Sequence, residues 1–192
     1  MKTLNRILAA FLLTLPSLAL AHTGEGAHGG FAAGVGHPLG GLDHLLAMVA
    51  VGCWAAHLGG KALWQLPVAF VGAMLLGGAL GMLGVAVPMM EAMILASSVV
   101  IGLALAISGR LNSLIAASLC ALFAIFHGAA HGLEMPNSGS AFGYALGFAL
   151  ATAVLHLTGL ASGKLSQELA GRSLERWLGG AIAVAGLGLA FS

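Results

Sequence analysis

Charged side chains are scarce in this chain, 7% of 192 residues, and a single one of them, Asp43, is an aspartate. With 59% of the residues hydrophobic and the apolar runs long, too little polar surface exists to cover a soluble domain, which leaves a polytopic membrane protein. No basic cluster occurs and the formal net charge is +1, so nothing is available to neutralise phosphates and nucleic acid is excluded as a partner. The two cysteines, Cys53 and Cys120, lie inside apolar runs rather than in exposed loops; they read as small packing residues, not as a disulfide framework. A phosphate-binding glycine loop of the Walker type is also missing, so the chain carries no ATP site of that kind.

What is present is ordered along the chain. Residues 1–21 have the layout of a secretory signal: Lys2 and Arg6, an apolar core, a Pro16-Ser17 break and Ala19-Leu20-Ala21 as a cleavage site. Cleavage there makes His22 the mature N-terminus and implies a bacterial inner membrane. Residues 22–36 read as a His/Gly-rich periplasmic arm, and 37–192 as one transmembrane domain. The expected fold is all-α, with six transmembrane helices after the cleaved signal peptide, at 41–58, 67–87, 91–108, 111–131, 140–160 and 174–191, each near the ~20 residues that cross the hydrocarbon. The polar stretch 162–176 reads as an interfacial helix. With the mature N-terminus periplasmic, Lys61, Arg110, Lys164, Arg172 and Arg176 all fall on cytoplasmic connections, as the positive-inside rule requires. Trp54, Trp64 and Trp177 fall at the same boundary, where indole rings accumulate. Glycines four residues apart, Gly77 with Gly81 and Gly139 with Gly143 and Gly147, predict close helix contacts.

This orientation sets the depth of the polar residues. His37, Asp43 and His44, in "HPLGGLDHLLAMVAVG", lie at the outer end of the first span; His127, His131 and Glu134, in "FHGAAHGLEMP", end the fourth span at the same level. On a helix His127 and His131 are 40° apart at 100° per residue, and Glu134 lies within 60° of both. Gly40-Gly41 must unwind the start of the first span if Asp43 and His44 are to face one point. Ionisable groups at membrane depth are costly unless paired, and by default they mark a site or a pathway. A single buried histidine is most often only a hydrogen-bonded interfacial residue. Imidazoles together with carboxylates form the ligand set of a borderline divalent cation such as Ni²⁺, Co²⁺ or Zn²⁺. His37, Asp43, His44, His127, His131 and Glu134 are therefore the predicted metal ligands. His22, Met48, Glu91, His57 and His156 are secondary candidates: His22 through its α-amine and ring, Glu91 as ligand or solvated cap, His57 and His156 toward the cytoplasmic side.

The two motifs resemble the signatures of the HupE/UreJ family, bacterial permeases for nickel and sometimes cobalt, and the similarity in layout covers nearly the whole chain. That resemblance implies that the six motif residues are needed for transport. It also implies that imported Ni²⁺, or Co²⁺, is the substrate and not a cofactor, delivered by way of cytoplasmic nickel chaperones to the maturation of a hydrogenase or urease. Related nickel-cobalt transporters have one residue fewer between His and Asp-His than the "PLGGL" of this chain, so their site geometry is not carried over. A non-enzymatic permease in the lipid bilayer is the expected function. The alternative from another class is an intramembrane zinc-dependent hydrolase, with three histidines on Zn²⁺ and Asp43 or Glu134 as general base.

Overall fold

The computed structural model describes residues 30–107, 109, 111–135 and 140–191, and every regular element among them is an α-helix. The signal peptide expected at 1–21, and His22 and His28, lie outside the described residues. The helices are α1 (Phe31–Gly40), α2 (Leu42–Leu58), α3 (Ala62–Met82), α4 (Met90–Ile107), α5 (Ser113–Leu133), α6 (Ala141–Ala170) and α7 (Arg172–Leu189). Helices α3, α4, α5 and α6 are each long and apolar enough to cross a bilayer. Helices α1 and α2 meet at an 89° bend and add a fifth span if taken as one broken crossing. Helix α7 opens with Arg172, Glu175 and Arg176, three charges that set it apart from these spans in composition.

Three details differ from the sequence expectation. Pro67 was expected to open the second span, yet α3 begins at Ala62 and carries Pro67 inside it; the helix stops near Gly84, whose φ of 72° breaks it. The stretch 162–176 is not an interfacial helix. Helix α6 runs unbroken for 30 residues, roughly 45 Å at 1.5 Å per residue, so its last turns extend past a ~30 Å hydrocarbon layer. Gly171, at φ 62°, then turns the chain into α7. Trp54 is not in an interfacial belt but fully buried in the core, whereas Trp64 and Trp177 are exposed.

Glycine sets how the helices pair. Gly77 and Gly81 of α3 meet the α5 backbone at Ile125 and Ala129, and Gly128 and Gly132 of α5 meet the α3 backbone at Met74 and Gly78. Any side chain on these faces would overlap main-chain atoms, so the two helices lie in direct backbone contact along their length. Gly52 of α2 lies against His156 and Leu160 of α6, Gly34 of α1 against Tyr144, and Gly102 of α4 against Gly179 of α7. The core between them is built from Met48, Val51, Trp54, Leu66, Phe70 and Met74 among others. A Gly128→Leu change should therefore weaken the fold by more than the ~1–3 kcal/mol of ordinary overpacking, because the clash is with the Met74 carbonyl and cannot relax by a rotamer change. Thermal unfolding in detergent would read this as a lowered midpoint.

The same pairing fixes the two ends of the bundle. The C-termini of α3 and α5 and the N-termini of α4 and α6 share one end with Glu134; the C-terminus of α2 and the N-terminus of α7 share the other with Lys61.

Candidate metal centre

Three helices converge at the Glu134 end. The α1–α2 junction is Gly41, extended at φ −107° and ψ 121°, and the bend there separates His37 on α1 from Asp43 and His44 on α2. On one continuous helix His37 and His44 would have been nearly in line, with Asp43 turned about 100° away from His44; the break instead wraps all three around α5. There the motif "HGAAHG" does two jobs at once. Each glycine is turned 100° from the histidine before it, so Gly128 and Gly132 press on α3 while His127 and His131 face the junction.

His131 is the hub. Its ring centroid lies 4.3 Å from that of His44 and 4.7 Å from that of His37, and His44 is 4.6 Å from His127. Glu134 closes the cluster, with one carboxylate oxygen 2.8 Å from His37 Nε2 and 3.9 Å from His131 Nδ1. Ligand atoms of His37, His131 and Glu134 lie within 4.8 Å of one another, close enough to hold one metal ion. The structure thus brings all six predicted residues together: His44, His127 and His131 buried, and Glu134 61% exposed at the mouth.

Hydrogen bonds prepare two of the imidazoles as ligands. Asp43 Oδ1 accepts the His44 backbone N–H at 2.8 Å and lies 2.9 Å from His44 Nδ1. A carboxylate can only accept, so Nδ1 carries the proton and the buried, unpartnered Nε2 presents a lone pair. Ser97 of α4 acts similarly on His127. Its hydroxyl donates to the Ile94 carbonyl at 2.6 Å and therefore accepts from His127 Nε2 at 2.9 Å, leaving Nδ1 with the lone pair and no partner. Both ring nitrogens of His131 are also buried without a hydrogen-bond partner. Buried polar atoms in a core built for stability are normally paired, and the lone pairs left here are ones that a divalent cation could accept.

Ser97 was not legible as a site residue, because serines are common in apolar helices and only the packing of α4 on α5 brings this one to His127. Ser97→Ala should lower metal affinity by roughly tenfold or more, the scale typical of partners that orient ligands, with little effect on helix content. Equilibrium dialysis with Ni²⁺ would measure it. Tyr144, the one tyrosine, was likewise missed; its hydroxyl donates to the His131 carbonyl at 3.2 Å and its ring lies 5.8 Å from His37.

The secondary candidates separate. Met48 is buried in the core. Glu91 is exposed on the first turn of α4, at the Glu134 end. His156 is buried deeper in the bundle beside Phe70, and His57 lies at the Lys61 end, paired with Glu175. His22 is outside the described residues. Among the described residues Asp43, Glu91 and Glu134 share one end with no Lys or Arg, while Lys61, Lys164, Arg172 and Arg176 lie toward the other and outnumber Glu168 and Glu175 there, so the field favours cations at the mouth of the cluster.

The family model described as HupE / UreJ protein matches residues 10–189. Protein HupE of Rhizobium leguminosarum bv. viciae is 46% identical over 177 residues, which are 92% of this chain and 92% of that protein. No solved structure matches the chain.

Proposed function

The chain belongs to the HupE/UreJ family, and from that premise we propose that it is a secondary permease that carries Ni²⁺, or Co²⁺, inward across a bacterial inner membrane to supply the maturation of a nickel enzyme, a hydrogenase or urease. In this reading the Glu134 end is periplasmic, α7 completes a set of six spans, and residues 1–21 are removed as a signal peptide. The observation that carries the proposal is the cluster itself: four imidazoles and two carboxylates drawn from α1, α2 and the end of α5, with ring nitrogens of His44, His127 and His131 left without partners.

The chemistry fits transport better than storage. Glu134 is solvent-exposed and His37 partly so, while His44, His131 and His127 lie progressively further in, so an arriving ion can exchange its water stepwise for imidazole. The membrane potential alone favours inward movement of a double charge by about 4.6 kcal/mol per 100 mV, and no nucleotide is needed. The hydrolase alternative is not favoured by the family assignment.

Vesicles containing only this protein test the proposal. With an inside-negative potential they should accumulate Ni²⁺ or Co²⁺, and protein-free vesicles should not. Equal accumulation in both would reject the permease.

A further inference from the structure

A second polar cluster lies at the Lys61 end, far from the first. His57 Nδ1 of α2 is 2.9 Å from Glu175 Oε2 of α7, and the two side chains are only 2% and 1% exposed. Gln167 of α6 donates to the other Glu175 oxygen at 2.5 Å and to the Ala56 carbonyl at 3.2 Å. Glu175 was not singled out in the sequence, because it sits in a polar stretch between two apolar runs. Its register nevertheless marks it: the buried residues of α7 are Glu175, Gly179, Ile182, Ala183 and Gly186, one helical stripe with a carboxylate at its end.

A carboxylate–imidazole contact buried this completely is a poor device for holding helices together, since well-packed apolar residues do that as well or better. It also does not stand alone. A cavity of about 300 Å³, lined by His57, Leu58, Leu111 and Arg172, lies at the same end of the bundle, so the His57 position borders open volume while Glu175 stays behind it. Between the two clusters stands His156, 1% exposed with both ring nitrogens unpartnered. Its backbone packs against Gly52. That level is eight residues beyond His44 and five before His57, roughly 12 Å and 7.5 Å along α2. A dication cannot cross some 20 Å of hydrocarbon-enclosed bundle, the rise from His44 to His57, without groups that replace its hydration.

We propose that His57 and Glu175 form a second divalent-cation site, the release station of the pathway, with His156 as the ligand midway between it and the outer cluster. This rests on the permease reading. The ion takes the place that each partner now fills for the other, one imidazole nitrogen and one carboxylate. Arg172, lining the same cavity, places a positive charge near the exit, which keeps the ion's residence short and suits release.

The test uses the full chain in lipid nanodiscs and Ni²⁺ alone as probe, with bound metal measured by equilibrium dialysis. His131→Ala disables the outer cluster and should retain one binding component. Adding Glu175→Gln, which keeps the size but replaces one of the two accepting oxygens of Glu175 with an NH2 donor, should weaken that component by more than about a hundredfold, beyond the ~10–100-fold effect of partners outside the coordination sphere. Glu175→Gln alone should leave the outer component intact. If that variant fails to fold, His57→Gln, whose amide still donates to Glu175, carries the same expectation. Residual binding that is absent in His131→Ala, or present but indifferent to both inner variants, overturns the second site. An inner component that persists while the His131-dependent one is missing from wild type would instead count against the outer cluster alone.

Discussion

Replacing Asp43 by Asn is expected to reduce nickel uptake by roughly two orders of magnitude while leaving helix content and membrane insertion unchanged. Asp43 Oδ1 both caps the His44 N–H and orients the His44 ring, so the variant loses two things at once. The negative charge that offsets a dication is gone. An amide can also rotate to donate toward Nδ1, which would move the imidazole proton to Nε2 and cancel the lone pair that faces the cluster. Initial rates of Ni²⁺ entry into vesicles, normalised to inserted protein, give the comparison. Uptake at the wild-type rate would remove Asp43 from the proposed site.

His131→Ala is expected to be as severe, and adding His44→Ala should cost little more. The two ring centroids are 4.3 Å apart and come from different helices, and the His131 ring is packed further by His37 at 4.7 Å and Phe148 at 4.2 Å. If they serve one ion, removing the first leaves little for the second to lose, because groups that act as a unit are not additive. Fully additive losses in the log rate would mean two separate stations within the outer cluster.

The residues of that cluster were legible because each carries an uncommon signal. Asp43 is the one aspartate in the chain, and the histidine pairs sit at fixed spacing where apolar runs begin or end. The all-helical, membrane-spanning character followed from the same runs, and the family resemblance drawn from the two motifs is borne out by the match over residues 10–189. The bend at Gly41 was legible as a need, since Asp43 and His44 could not otherwise face one point, but its size was not: 89° reflects the packing of α1 on α6 through Gly34 and Gly147. Ser97 and Glu175 were not found because their roles depend on which helices are neighbours, and one sequence does not say that α4 lies on α5 or α7 on α2. Trp54 was misplaced for a related reason. Its position along the span suits an interfacial ring equally well, and only the neighbours of α2 decide that it is buried. The interfacial helix expected at 162–176 failed because polar side chains alone do not end a helix; Gly171 does.

The central claim is that the two motifs hold one divalent ion together. X-ray absorption at the nickel edge, on the full chain loaded with one equivalent of Ni²⁺, examines it directly. The account predicts a coordination shell of nitrogen and oxygen only, with scattering from more than one imidazole that diminishes both in His44→Ala and in His131→Ala. A sulfur-containing shell, or a spectrum unchanged by either substitution, would contradict it.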